Sequence, residues 1–215
     1  MGSNLEKPKA KRGRGRPRSF DEADALDRIT DIFWQRGYGA TSLDALATGA
    51  GVHRPSLYAT FGGKEAMYLR SIEAFAGRVQ RTLQPARGGD APLDAKLKSV
   101  FSALIEFYCS SDGAGARGCL VVCTAASEAT ERPAVRASLH AVLQATDARF
   151  SGMLEAARTQ GELPEGADLE GLGALLAATT HSIALRARAG SPTQALELLA
   201  ETAVTAVLAA VGRHP

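Results

Sequence analysis

Thr41-Ser42-Leu43-Asp44-Ala45-Leu46-Ala47-Thr48-Gly49-Ala50-Gly51-Val52-His53-Arg54-Pro55-Ser56-Leu57-Tyr58-Ala59-Thr60-Phe61 is the stretch on which the fold turns. Thr41-Ser42-Leu43-Asp44 reads as a helix start, with a hydroxyl to satisfy the orphan amides of the first turn. That short helix ends at Thr48-Gly49-Ala50-Gly51, where glycine supplies the left-handed residue. A second short helix is predicted from about His53 to Phe61, because Pro55 fits only a first turn and Gly62-Gly63 breaks the chain. Two short helices joined by a glycine turn match a helix-turn-helix.

Upstream, Ser19-Phe20-Asp21-Glu22 reads as a capping box opening a helix whose Leu26, Ile29, Ile32 and Phe33 share a face and which stops at Arg36-Gly37. Downstream, Lys64 opens a longer helix to about Leu83, followed by a loop over 84–92 that carries Pro85, Gly88, Gly89 and Pro92. Helices are then predicted near 93–109, 115–129, 133–160, 168–189 and 193–211. No alternation lasts long enough for a strand, so the fold class is all-α. The expected organisation is a basic arm (1–18), a helix-turn-helix domain (19–63), a connecting helix (64–83) and a helical ligand-binding and dimerisation domain (84–215).

The composition agrees, with 45% hydrophobic and 22% charged residues over 215 positions, the balance of a soluble helical protein. No signal peptide and no membrane-length apolar run is evident, and three cysteines without a disulfide framework fit a reducing, cytoplasmic setting. Net charge is +2, but residues 1–18 hold seven basic side chains against Glu6, a local +6 that leaves −4 for the rest. A basic arm on an acidic body points to a polyanion for the arm alone.

Capped helix, glycine turn, Ser56-Leu57-Tyr58-Ala59-Thr60-Phe61 and Gly62-Gly63-Lys64-Glu65-Ala66 follow one another in an order that closely resembles the amino-terminal signature of TetR-family regulators, over about residues 16–75. The carboxy-terminal part resembles that family only in being all-helical and of suitable length. The resemblance implies a homodimeric, ligand-responsive transcriptional regulator, more often a repressor, with duplex operator DNA as its partner.

A recognition helix meets base edges with its amino-terminal end, and His53, Arg54, Pro55 and Ser56 stand there. Arg54 can fork onto a guanine, and Pro55 can touch a thymine methyl. The resemblance places Tyr58 and Lys64 on phosphates, and Thr41 and Ser42 are similarly placed at the preceding helix start. His53 departs from the small hydroxyl residue common at its position. In the arm, Arg14, Arg16 and Arg18 surround Gly15 and Pro17 like the core of an AT-hook. That arm fits either minor-groove insertion or a tether that only brushes phosphates.

In the second domain, Cys119 and Cys123 share a helix face, with Cys109 at the end of the preceding helix. They fit buried small hydrophobes better than a thiol sensor. His140 and His181 are lone histidines on apolar helices, suited to core packing or to orienting a ligand. With Phe101, Ile105, Tyr108, Cys119, Cys123 and Leu143 they make the expected pocket for an unidentified small-molecule effector, although tight packing explains the same residues. The stretch 194–211 carries only Glu197 and Glu201 as charges and needs burial on two sides. A dimer interface over Leu176, Ile183, Leu196, Leu199, Val204 and Val207 would provide it.

No nucleophile elbow, phosphate loop or metal motif argues for an enzyme, and no cofactor is expected. The alternatives to a sequence-specific regulator are a nonspecific architectural DNA-binding protein, favoured by the arm, and a thiol-based redox or electrophile sensor.

Overall fold

A computed structural model describes residues 20–110 and 115–212 and carries nine α-helices and no strand among them. α1 (Glu22–Arg36) is capped by Asp21, whose carboxylate accepts from the amides of Ala23 and Asp24 at 2.8 and 3.2 Å. The cap is thus Asp21 rather than Ser19, because a carboxylate also complements the positive end of the helix dipole. α2 (Leu43–Ala50) is capped by Ser42, and Gly51 at φ +67° turns the chain into α3 (Arg54–Phe61), with Pro55 in its first turn.

α4 (Lys64–Arg87) runs past the expected stop at Leu83 and takes Pro85 into its final turn. A proline there forfeits one ladder bond close to where the helix ends anyway. α5 (Leu93–Cys109), α7 (Pro133–Thr159), α8 (Leu169–Arg188) and α9 (Thr193–Ala210) follow the expected boundaries closely, but α6 is only Leu120–Glu128. Residues 115–119 are not helical. Gly118 adopts φ +63°, and the amides of Arg117 and Gly118 both donate to the Tyr108 carbonyl at 3.1 Å. A Cβ at Gly118 would meet the Ala184 carbonyl oxygen at 2.2 Å, so only glycine lets this turn lie against α8.

One continuous core runs from Ile29 and Phe33 of α1 through Tyr68 of α4 and Phe101 of α5 to Val207 of α9. Where the first three helices meet the rest, Trp34 packs edge-on to Phe75 (5.0 Å between ring centroids) and stacks on Phe107 (5.2 Å). The burial of Trp34 and Phe75, with the partly buried Phe107 beside them, contributes several kcal/mol, at roughly 1.5–3 kcal/mol for a fully buried large side chain.

α9 lies against α5 and α8, which changes the expected dimer interface. Leu176, Ile183, Leu196, Val204 and Val207 are completely buried in the chain's own core, and Leu199 is half-buried against it. Periodicity announced that this stripe is buried but not by what. The large apolar side chains left in solvent on the two helices are Leu175 (50% exposed), Leu185 (51%) and Leu198 (64%).

Candidate nucleic-acid interface and effector cavity

The outer face of α2 and α3 carries the polar candidates. Ser42 is exposed, and its hydroxyl accepts from the Ala45 amide at 3.1 Å. Thr41 is buried, and its hydroxyl donates to the Gly37 carbonyl at 2.6 Å, so that group closes the α1–α2 junction instead of facing a phosphate. His53 occupies the N-cap of α3 through its backbone alone, with no hydrogen bond from its ring to the helix. His53, Arg54 and Pro55 are exposed, Ser56 is partly so, and Tyr58 is 45% exposed. Arg54 Nε lies 2.9 Å from Asp44 Oδ1, across the turn from α2.

Lys64, at the start of α4, rests its ammonium 4.2 Å from the centroid of the Tyr38 ring. Arg132 also lies over that ring, at 4.4 Å, while bonding Glu65 and Glu128 at 3.1 and 3.2 Å. Burial lowers the Lys64 pKa, with Glu128 opposing and Arg132 reinforcing that effect. Tyr38 carries no motif of its own in the sequence. Its position just after Gly37, the C-cap of α1, was the available signal. Arg14, Arg16 and Arg18 lie outside the described residues.

Between α4, α5, α6, α7 and α8 is a cavity of about 70 Å³. Phe75, Val79 and Leu83 of α4 line it together with Leu104, Val121, Val122, Val142 and Phe150. Its polar rim consists of Tyr108, Cys119, Thr146, Arg149, Thr180 and His181. Of the expected pocket residues, Tyr108, Cys119 and His181 line the cavity. Phe101 is stacked on Phe150 at 5.7 Å, and both Phe101 and Ile105 are buried in the core. His140 is exposed, and Cys123 and Leu143 do not reach the cavity wall. The α4 contribution was missed, although Phe75, Val79 and Leu83 follow the four-residue spacing of a single helix face.

Burial favours the thiol form of Cys119 and Cys123. Burial pushes Cys119 up to about 11, and burial also raises Cys123, whose Sγ lies 3.7 Å from the Ala184 carbonyl oxygen. Burial raises the Tyr108 phenol as well, and the neighbouring Cys119 adds to it. The His181 pKa falls below its ordinary value of 6.5 because burial disfavours the imidazolium, with Asp147 opposing. His181 Nε2 is buried without a hydrogen-bond partner. Among the described residues, no group of three or more His, Cys, Asp or Glu side chains could hold a metal.

The cavity wall is tied directly to the first three helices. Trp34 Nε1 donates to the carbonyl of Gly118, the residue before Cys119, at 2.8 Å. Arg188, the last residue of α8, donates to the carbonyls of Trp34 (3.0 Å), Gln35 (3.3 Å) and Arg117 (3.1 Å). Tyr68 of α4 and Thr124 of α6 add a hydroxyl–hydroxyl bond of 2.6 Å.

Residues 25–70 match the model of bacterial regulatory proteins, tetR family, and residues 94–203 match the tetracyclin repressor-like carboxy-terminal domain. The HTH-type transcriptional repressor ComR of Escherichia coli K12 is 31% identical over 200 residues, covering 89% of this chain and 91% of ComR. The uncharacterized HTH-type transcriptional regulator YezE of Bacillus subtilis 168 is 27% identical over 164 residues, covering 75% of this chain and 83% of YezE. Among solved structures, a cysteine mutant of the TetR family transcriptional regulator CifR, complexed with 26-bp double-strand operator DNA, superposes with a TM-score of 0.81. It is 29% identical, over 88% of this chain and 98% of that one.

Proposed function

Because the chain belongs to the TetR family of bacterial regulatory proteins, we propose that it is a cytoplasmic, homodimeric transcriptional repressor that binds a defined operator and releases it when a small molecule fills the body. The observation that carries this reading is the exposed row His53, Arg54, Pro55 and Tyr58 at the head of a helix-turn-helix, with Ser42 beside it. Such a row suits base-edge contacts from the start of α3 and phosphate contacts from Ser42, Tyr58 and Lys64. In this reading residues 19–63 form the DNA-binding domain, and residues from 84 onwards form the sensing and dimerisation domain.

Leu175, Leu185 and Leu198 give α8 and α9 an outward apolar face suited to a second copy of the chain. α9 is long and apolar enough to match a membrane span by length and composition alone, but its Leu196, Val204 and Val207 are packed into the helical core. The basic arm, residues 1–18, adds phosphate or minor-groove contacts beside the operator. A thiol sensor is disfavoured by the raised Cys119 and Cys123 pKa values, since the thiolate is the reactive form.

Effector linkage follows from the ties between the cavity wall and α1. Cys119 lines the cavity, Gly118 beside it accepts from Trp34, and Arg188 holds the end of α1. A molecule that shifts the 115–119 turn moves α1 and hence the spacing of two recognition helices. That spacing must be about 34–36 Å, or near a multiple of it, to read successive major grooves.

Genomic footprinting with the purified protein tests the proposal. A palindromic protected site of about two half-sites is the expected result. Uniform protection without a preferred sequence would instead make this an architectural DNA-binding protein.

A further inference from the structure

The cavity between α4 and α8 is bordered by His181, whose Nε2 is buried with no hydrogen-bond partner. The Thr146 hydroxyl donates to the Val142 carbonyl at 2.8 Å, and the Thr180 hydroxyl donates to the Leu176 carbonyl at 3.2 Å. Tyr108 and Cys119 are hydrogen-bonded to each other. Arg149 borders the space but is already engaged by other groups. His181 Nε2 is buried and has no partner. A buried polar atom without a partner is destabilising, and whatever satisfies it recovers that loss on binding.

The remaining walls decide what else the occupant must be. Phe75, Val79, Leu83, Leu104, Val121, Val142 and Phe150 offer hydrocarbon, in which an unpaired charge would lose its hydration without compensation. Burial also favours the neutral His181 ring, and Arg149, the cation on the lining, already has an interaction of its own. A volume of about 70 Å³ is roughly half that of the ~150 Å³ apolar cavity known to admit benzene.

We infer that this cavity takes a short-chain, uncharged oxygenated molecule of about three to five non-hydrogen atoms, whose hydroxyl or carbonyl oxygen pairs with His181 Nε2 while its carbons lie among Phe75, Val121 and Phe150. A neutral imidazole nitrogen is either a donor or an acceptor. A carbonyl meets the first form and a hydroxyl meets both, so the two groups make one ligand class. This inference rests on the effector reading above and specifies its chemistry.

The test uses the full chain, free of DNA, labelled with ¹⁵N-histidine. 2-Butanone and 2-butanol are the probes, and propionate, with the same number of non-hydrogen atoms, is the charged control. Saturable binding of 2-butanone or 2-butanol, with movement of the His181 Nε2 resonance and no saturation by propionate, is the expected result. His181→Leu should weaken binding about tenfold, the loss of one hydrogen bond to a buried group. Ala76→Leu, which puts an isopropyl group into the space, should abolish it.

Absence of saturable binding would mean that the cavity holds only water and would overturn the inference. Tighter binding of propionate, an unmoved Nε2 resonance, or undiminished binding to a folded His181→Leu variant would overturn it as well. Should His181→Leu fail to fold, the wild-type resonance and Ala76→Leu still decide. Operator affinity measured on the same samples reports separately on the regulator. Probe binding without operator release keeps this ligand class and removes the effector role.

Discussion

The Arg54 guanidinium and the Asp44 carboxylate form an ion pair at 2.9 Å that spans the turn between α2 and α3. In the proposed function, base reading by Arg54 requires DNA to break this pair. Both groups are well exposed, so the pair adds only about 0–1 kcal/mol to folding. Asp44→Asn should release Arg54 and remove a charge that repels phosphate, raising affinity for operator and random duplex alike. Arg54→Ala should lower affinity and relax discrimination at one operator position by about 1–3 kcal/mol. Competition binding against single-base operator variants checks both, and equal loss on every sequence would make Arg54 a phosphate ligand.

Tyr58→Phe and Lys64→Ala should weaken binding to any duplex. Lys64→Ala should also lower the slope of log K against log salt by about 0.9 for each phosphate that is no longer neutralised. Lys64 lies on the Tyr38 ring, so Tyr38→Leu should reproduce part of the Lys64 effect without removing a charge. Salt-series fluorescence anisotropy distinguishes these outcomes, and an unchanged slope for Lys64→Ala would take that residue off the backbone.

Leu185→Glu with Leu198→Glu should give a folded monomer by light scattering, since both side chains stand in solvent on the outer face of α8 and α9. Val207→Glu should instead prevent folding, because it places a charge in the chain's own core at a cost of several kcal/mol. A folded dimer from the double leucine variant would remove this face as the interface.

The helix-turn-helix was legible in the sequence because its signals are local: Ser42 caps α2, Gly51 turns the chain, and Pro55 opens α3. The late start of α6 was not, because the close backbone approach that requires glycine at position 118 is to Ala184, sixty-six positions away. The same holds for α9. Leu196, Val204 and Val207 were readable as buried, but α5 and α8 cover them rather than a second chain. Thr41 reads as a phosphate donor in one dimension, whereas its hydroxyl donates to the Gly37 carbonyl four positions back. Of the cavity, Tyr108, Cys119 and His181 were found and the α4 wall was missed.

His181 gives the protein a pH dependence whose sign is fixed by burial. Its pKa is lowered in the folded state relative to the ordinary 6.5, so the unfolded chain binds the proton more readily. Its contribution to stability is therefore complete above pH 6.5 and is lost as pH falls through that value towards the lower folded pKa. Urea midpoints should fall between pH 7 and pH 5, and His181→Gln should remove part of that fall. An identical pH profile in the variant would show that the imidazole titrates alike in both states.

Trp34→Phe keeps a ring against Phe75 and Phe107 but deletes the hydrogen bond to Gly118. It should cost about 0.5–1.5 kcal/mol for that bond, with a further penalty of about 1–3 kcal/mol if the Gly118 carbonyl stays dry. Arg188→Ala removes donors from three carbonyls and should cost more. Denaturant unfolding measures both. Equal and negligible losses would mean that water replaces these hydrogen bonds.

The Arg188 hydrogen bonds also bear on how freely such proteins can exchange parts. The last carbonyls of α1 find their donor on the far end of α8, more than 150 positions away, and not in their own neighbourhood. A head of this kind transplanted onto a foreign sensor body would arrive with Trp34 and Gln35 carbonyls uncapped and a Trp34 indole without its acceptor. A working chimera would have to carry the trio Trp34, Gly118 and Arg188 across together, so the natural seam for recombination lies outside that trio rather than at the start of the connecting helix.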